Sequence, residues 1–544
     1  MSINYFFTIV VYYYIISVCH SELEERHDYD TASANSYTVL AVLQNAELPI
    51  TLTSGLPMRL SIAPLTTGIK LELRNDTRNV TQEGSPGFVI FQVHSQVHAL
   101  TLSLTPQYEY ESSVNTTAAG VVYVYKILSE HPTAYLNNTH NTSVQVLIIA
   151  TSYTDRDPIP GGCSLEFAQE QAPYCKLHEH YSIAATLNFQ FAQQISARGS
   201  PVSCETSYQL NSVEYDVYMY FLKHNDFSED EYFASIEKLL TVNSIQETAR
   251  KVHTLDSKEK TSVGFGLYRG QGAMYAVIAR DRETLRAVPY VPIGGYGCKL
   301  SEPAHTCDGY NVIVIAVLLA VIGGMLWLLL WVWLCIPVVS ILLTGLVLGY
   351  VCSSLLFFVA FGGLDFFRNG LNYAMVFLSI VLLVPCLLLP FSNLVSLVST
   401  AVVGSYAFVV AIDQFTRGSM TYVVLNSVRH GYSEFSEAFV LVPFQTNEVV
   451  LTVVWMVLAV LGIALQLRRE RQRAPFPPPP SLTWMQYVRR PGSSIAIDDS
   501  SSETSQDDDR EPLIQARLPV LMYGATLDAV TGDRPHHVDR RQTL

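Results

Sequence analysis

His178, Glu179 and His180 stand side by side three residues after Cys175, the nearest approach to a metal-ligand cluster in this 544-residue chain. Imidazole, carboxylate and thiolate are the ligands zinc prefers, but a tetrahedral site needs them spaced so that they converge on one point. Adjacent histidines in a loop read instead as solvated polar residues. Nucleophile elbows, Gly-rich phosphate loops, zinc spacings and paired intramembrane carboxylates are missing from the sequence. It therefore names no catalytic, cofactor-binding or metal-ligating residue and calls for no cofactor, and the expectation is a protein that is not an enzyme. Asp413 could be a functional intramembrane acid. Standing where an apolar run meets the polar QFTRGS, it reads as an interfacial residue.

The chemistry that the residues do support is modification and sorting. Asn-x-Ser/Thr acceptors occur at Asn75, Asn79, Asn115, Asn137 and Asn141, all ahead of the first long apolar run, which places them in a lumenal, glycosylated ectodomain. The same part holds Cys163, Cys175, Cys204, Cys298 and Cys307; an odd number leaves one thiol unpaired or cross-linked between chains. Disulfides persist in the secretory lumen, and short loops close readily. Proximity then pairs Cys298 with Cys307 and Cys163 with Cys204, leaving Cys175 over. Near the other end Asp509 precedes the Leu513-Ile514 pair by four residues, the acidic dileucine pattern read by clathrin adaptors. Phe476 to Pro480 reads as a stiff polyproline II spacer, with a ligand for an aromatic groove as the alternative.

The elements that must position these residues follow from charge and hydropathy. Residues 311–467 carry only eight charged side chains, so that stretch lives in lipid. The net charge of -14 arises almost wholly before it, which argues against nucleic acid as a partner. Residues 1–19 read as a signal peptide, with an uncleaved anchor as the alternative. Residues 20–310 form the lumenal or extracellular ectodomain. Its β-branched and aromatic runs at 86–105, 120–128, 144–153, 183–191, 213–222, 261–268 and 273–279 predict strands, in units of about 30–155 and 180–300. Ser228 opens a capping box ahead of Phe233, Ile236, Leu239 and Leu240, which predicts a helix. Spans are expected at 312–334, 338–361, 371–391, 394–413 and 447–467, about five. Gly345 and Gly349 permit close helix approach, with a dimer face as one use. Arg468 to Arg473 follows the last span as the positive-inside rule wants, which puts the C-terminus in the cytoplasm. Residues 468–544 are too poor in apolar side chains to bury a core and read as a disordered tail.

Several stretches together resemble the transmembrane 7 superfamily member 3 family: SYTDRDPIPGGCSLEF (152–167), VEYDVYMYFL (213–222), GGM (323–325), TGLVLGY (344–350), VGSYAFVVAID (403–413), the run from Val442 to Arg473, and EPLI (511–514). The resemblance implies a seven-span bundle behind a glycosylated, cysteine-bearing ectodomain. It also implies no enzymatic activity and a pro-survival role that attenuates stress of the secretory pathway and supports protein homeostasis and secretion. The sequence departs from the family in one respect. GGM and TGLVLGY look like the third and fourth spans, yet they directly follow Cys298 and Cys307, so one two-helix hairpin is missing.

The fold class expected is a β-rich glycosylated ectodomain, an α-helical multi-pass bundle and a disordered cytoplasmic tail. The protein would sit in the plasma membrane and endomembranes, with lipid around the bundle, an unnamed protein or ligand at the ectodomain and clathrin adaptors at the tail. The alternative is a membrane transporter or channel, which would want polar residues facing a pathway at mid-membrane; the spans offer hardly any.

Overall fold

The computed structural model describes residues 40–43, 49–74, 86–125, 131–180, 183–196, 199–210, 212–256, 260–298, 300, 337–431, 433–443 and 445–470. The first unit is a sandwich of ten strands: β1 (Leu40–Leu43), β2 (Ile50–Leu52), β3 (Met58–Ile62), β4 (Ile69–Leu73), β5 (Pro86–His94), β6 (Leu100–Ser103), β7 (Ser113–Thr116), β8 (Ala118–Val124), β9 (Thr133–Asn137) and β10 (Val144–Thr154). They form two five-stranded sheets, in the orders β1-β3-β10-β5-β8 and β2-β4-β9-β6-β7. Alternation in IKLEL turns Ile69, Leu71 and Leu73 inward, as a sheet with one solvated face requires. The central strands β5 and β10 are covered on both faces, so Phe88 to Val93 and Val146 to Ala150 are buried throughout. Hence their sequences read as continuous apolar runs.

The second unit holds β11 (Ile159–Cys163), β12 (Lys176–His180), β13 (Ala184–Asn188), β14 (Phe191–Gln193), β15 (Val213–Phe221), β16 (Arg250–Asp256), β17 (Ser262–Gly266), β18 (Gly272–Asp281), β19 (Ala287–Pro289) and β20 (Ile293–Tyr296), with helices α1 (Cys204–Leu210), α2 (Glu229–Glu237) and α3 (Val242–Thr248). Strands β12-β13-β17 make one sheet and β16-β15-β18-β19 another, with β20 also on β18. The capping box works as expected at its first position: the Ser228 hydroxyl accepts from the Glu231 amide. Phe233, Ile236, Leu239 and Leu240 are buried. Cys163 and Cys204 are joined in a disulfide, their Cα atoms 5.6 Å apart, which pins α1 to β11. Cys175 is buried and free. Cys298 is disulfide-bonded, and Cys307, its expected partner, lies outside the described residues. His178, Glu179 and His180 are not in a loop. They form the edge strand β12, with His178 in register with Thr186, because an edge strand tolerates polar side chains on its wet face.

The two units pack directly. A Cβ on Gly120 would stand 2.5 Å from Val291 Cγ2, Arg59 bonds Glu237 at 3.0 Å, and the Gln96 amide donates to the Tyr296 hydroxyl at 3.0 Å.

The bundle comprises α4 (Pro337–Leu356), which runs into a π-helical turn at Phe357–Phe361, α5 (Gly370–Leu388), α6 (Ser392–Thr416), α7 (Tyr422–Arg429), α8 (Ser433–Ser436) and α9 (Thr446–Glu470). Among the described residues, Leu342–Phe361, Gly370–Leu388 and Thr446–Arg469 are long and apolar enough to cross a bilayer, and α6 carries a shorter apolar stretch, Leu397–Asp413. The expected span 312–334 lies outside the described residues, as do the signal peptide and the tail beyond Glu470. Gly345 and Gly349 serve contact within the chain: a Cβ on Gly349 would meet the Val381 carbonyl oxygen at 2.5 Å, and one on Gly345 the Pro385 side chain at 2.8 Å. That lets α4 and α5 approach closely.

Candidate functional site

Two constructions stand out. The first is a cleft of about 740 Å³ where the two units meet, lined by β7 on one side and by β12 and β20 on the other. A volume of this size lies in the range of small-ligand sites. Tyr110, Gln96, Lys176, His178, Glu179 and Tyr296 supply its aromatic and polar lining. Both β7 and β12 are edge strands of their sheets, so each meets the cleft with one unpaired side of its backbone. Glu179 accepts from the Tyr296 amide at 3.1 Å. Burial raises its carboxyl to about 7, with that hydrogen bond opposing the shift. A carboxyl that changes charge near neutrality inside a cleft is a marker of function.

The second construction joins ectodomain to bundle. The segment between α6 and α9 folds onto the second unit: the Phe439 amide donates to the Gly264 carbonyl at 2.8 Å, and the Phe439 carbonyl accepts from the Gly266 amide at 2.9 Å. Arg429 is buried between the rings of Tyr422 and Phe435 and donates to the Leu267 carbonyl at 3.0 Å. The Arg269 amide donates to the Tyr422 hydroxyl at 2.9 Å. The loop after β15 reaches the helix ends: His224 Nε2 lies 3.0 Å from the Thr416 carbonyl, and the His224 amide donates to Gln445 Oε1 at 2.8 Å. A carbonyl only accepts, so Nε2 carries a hydrogen. That turns Nδ1 toward Glu448 Oε1, 3.9 Å away. Asp413 ends α6 where an interfacial acid would stand, but it is only 1% exposed, and its carboxylate accepts from the Thr421 amide at 2.8 Å and hydroxyl at 2.6 Å. It ties the α6–α7 turn.

The family profile described as "TM7SF3-like, N-terminal immunoglobulin-like domain" matches residues 67–153, "TM7SF3-like, second immunoglobulin-like domain" matches 158–301, and "TM7S3/TM198-like domain" matches 301–467. The human protein named transmembrane 7 superfamily member 3 is 31% identical over 469 residues, covering 75% of this chain and 82% of the relative. The chain belongs to the transmembrane 7 superfamily member 3 family. The mouse relative of the same name is 30% identical over 484 residues, 78% of this chain and 84% of its own. As in that family, the chain is a multi-pass membrane protein, and its two sandwiches correspond to immunoglobulin-like domains.

Solved structures similar in part include a β-1,2-glucanase from Parabacteroides distasonis (11% identity, TM-score 0.14, 40% of this chain and 28% of that one) and β-glucuronidase 2 from Bacteroides uniformis (7% identity, TM-score 0.17, 41% and 25%). At such scores neither bears on function.

Among the family member's expected site residues, Asn115 and Asn141 are exposed, and Asn137 is half-buried with its Oδ1 enclosed. Asn115 lies on the cleft wall. Asn75, Asn79, Asp509, Leu513 and Ile514 lie outside the described residues. No group of three or more His, Cys, Asp or Glu among the described residues could hold a metal. Sequence reasoning passed over His224, Arg429, Gln445 and Glu448. Only Arg429 carried a signal, a charge set between two apolar runs, where ionisable residues are costly; the contacts of His224, Gln445 and Glu448 join distant parts of the chain and leave no local pattern.

Proposed function

We propose that this family member is a non-enzymatic, receptor-like membrane protein whose immunoglobulin-like pair holds a ligand or protein segment in the cleft between its units and transmits occupancy to the bundle through the Phe439 junction. The cleft of about 740 Å³ carries the reading. The role served is survival under stress of the secretory pathway, with support of protein homeostasis and secretion. The resemblance to the family motivates that assignment. The ectodomain faces the lumen or cell exterior and the C-terminus the cytoplasm of plasma and endomembranes. In favour of this orientation, the bundle ends at Asp365, Thr416 and Gln445 touch the ectodomain, whereas Arg468 and Arg469 stand at the far end of α9. Adaptors then meet the tail at Asp509, Leu513 and Ile514.

A test replaces Tyr110 and His178, both exposed in the cleft, with alanine. In cells lacking the native protein and placed under secretory stress, the double variant should reach normal abundance and yet lose the survival advantage of the unmodified protein. Equal survival would rule out the cleft as the working site.

The rival reading, a transporter or channel, is favoured by one observation. Asp413 and Glu448 are buried at 1% and 2% exposure, and Glu448 Oε1 lies 3.9 Å from His224 Nδ1. Both acids sit at the ectodomain end of the bundle and not at mid-membrane, which favours the receptor-like reading.

A further inference from the structure

The cleft between the two units carries an attachment point for an occupant of its own. Asn115 stands in the acceptor triplet Asn115-Thr116-Thr117, on the edge strand β7 that lines the cleft. Alternation along the strand decides where its side chain goes. Val114 is buried and Asn115 exposed, and pairing with Thr101 on β6 fixes the position. The Asn115 amide is therefore presented by a sheet and not by a loop that could swing away. Of the acceptor asparagines among the described residues, Asn115 alone lines the cleft. Asn137 is half-buried on β9, and Asn141 is exposed in the connection to β10.

The walls around it fit the chemistry of a sugar. A pyranose ring has an apolar face of C–H groups and a rim of hydroxyls, each of which can donate and accept. Tyr110 brings to the cleft an aromatic ring left 78% exposed, an apolar face with a polar tip. Glu166 and His178 are exposed in the same cleft, the one an acceptor and the other able to donate or accept. Its volume of about 740 Å³ is in the range that encloses a ligand of several rings.

We propose that the ligand resident in this cleft is the chain's own N-glycan at Asn115, whose first sugars stack on Tyr110 and hydrogen-bond to Glu166 and His178, so that a modification of the first unit ties it to the second. This rests on the reading of the cleft as a binding site and on the lumenal orientation proposed above, and it names the occupant. In the attachment, the Asn115 side-chain nitrogen bonds the anomeric carbon of the first sugar. The bond from that carbon to the oxygen of a lipid diphosphate donor breaks, and one amide proton is released. Tethering favours this occupant over a free one, because a group linked through one side chain meets its site at an effective concentration on the order of millimolar. A peptide adding to the free edges of β7 or β12 would have to displace it.

The test digests the full chain, purified from eukaryotic cells in mild detergent, with a peptide-N-glycosidase. Release converts the glycan-bearing Asn to Asp, which mass spectrometry reads at each acceptor. From the folded protein Asn115 should be released at least about tenfold more slowly than Asn141 and the other glycosylated acceptors, because the cleft must open first. After denaturation the rates should converge. Tyr110→Ala removes a largely exposed ring and should bring Asn115 to the rate of the others, whereas Tyr110→Phe, which keeps the ring, should stay slow. An Asn115 that carries no glycan overturns the proposal. So does release as fast as at the other acceptors, which would leave the cleft to a peptide, or protection that Tyr110→Ala leaves unchanged. Survival of the Tyr110 and His178 double variant tests the cleft's role separately, so Asn115 can prove unprotected while that variant still loses its advantage, and the reverse.

Discussion

Phe439 lies in parallel register with Phe265, although 174 positions separate them in the chain. A segment between two membrane helices thereby completes the free edge of β17, the kind of strand addition used in peptide recognition, here within one chain. Phe439 also packs its ring against His253 at 5.3 Å and beneath the Arg368 guanidinium at 4.9 Å.

Truncating that ring should loosen the junction while leaving the sandwiches folded. A buried Phe→Ala change costs about 3–5 kcal/mol, and here the loss falls on docking. In Phe439→Ala, hydrogen exchange of the Gly266 amide, which donates to the Phe439 carbonyl, should accelerate at least about tenfold. Amides in the middle of β18 should keep their protection. An unchanged Gly266 amide would mean the junction is held elsewhere.

The Cys163–Cys204 bridge closes a loop with a sequence separation of 41, for which chain entropy gives about 4 kcal/mol. Replacing both cysteines with alanine should lower the thermal midpoint of the ectodomain markedly. Cys175 is fully buried, and burial pushes its thiol well above the ordinary range. A maleimide should therefore leave it unlabelled in the native protein and label it after denaturation. Rapid labelling of the folded protein would show Cys175 to be accessible and reactive.

How far the sequence discloses this arrangement depends on how local each cause is. Strands β5, β10, β15 and β18 are legible because β-branched and aromatic side chains fill them, and α2 because its cap and buried face lie within one short segment. Strand β12 is not: KLHEH holds one aliphatic residue, and its pairing is imposed by the hairpin with β13 and the cleft behind it. Glu448 reads as a polar residue at the start of a span, since only the covering loop around His224 buries it. Likewise the Asp413 carboxylate is enclosed by Thr421, which a turn of unknown shape must bring back. Contacts made by chain reversal or across long separations leave no periodicity to read.

Glu179 makes stability depend on pH in a stated direction. Its carboxyl is raised from 4.5 to about 7, so between those values the folded state holds more protons than the unfolded one. Stability then falls as pH rises through this window. Glu179→Gln keeps an oxygen for the Tyr296 amide and removes the charge. The variant's thermal midpoint should exceed that of the unmodified protein above pH 7, and the difference should shrink toward pH 4.5. Parallel midpoint curves for the two proteins would show that Glu179 is not the titrating group.

Two glycines in membrane helices should respond oppositely to the same substitution. On Gly349 of α4 an added Cβ would stand 2.5 Å from the Val381 carbonyl oxygen and 3.2 Å from the Val381 Cα. Backbone cannot swing aside as a side chain can, so Gly349→Ala must push α4 from α5, and overpacking of this kind costs about 1–3 kcal/mol. On Gly404 of α6 an added Cβ meets nothing within 4 Å. There Gly404→Ala loses no contact and gains helix propensity, up to about 1 kcal/mol. Unfolding in mixed micelles should rank Gly404→Ala at or above the unmodified protein and Gly349→Ala below it. If the small residues at 345 and 349 instead formed a dimer face open to a second copy, Gly349→Ala would weaken self-association and leave monomer stability unchanged. Measuring oligomeric state and unfolding on the same samples separates the two.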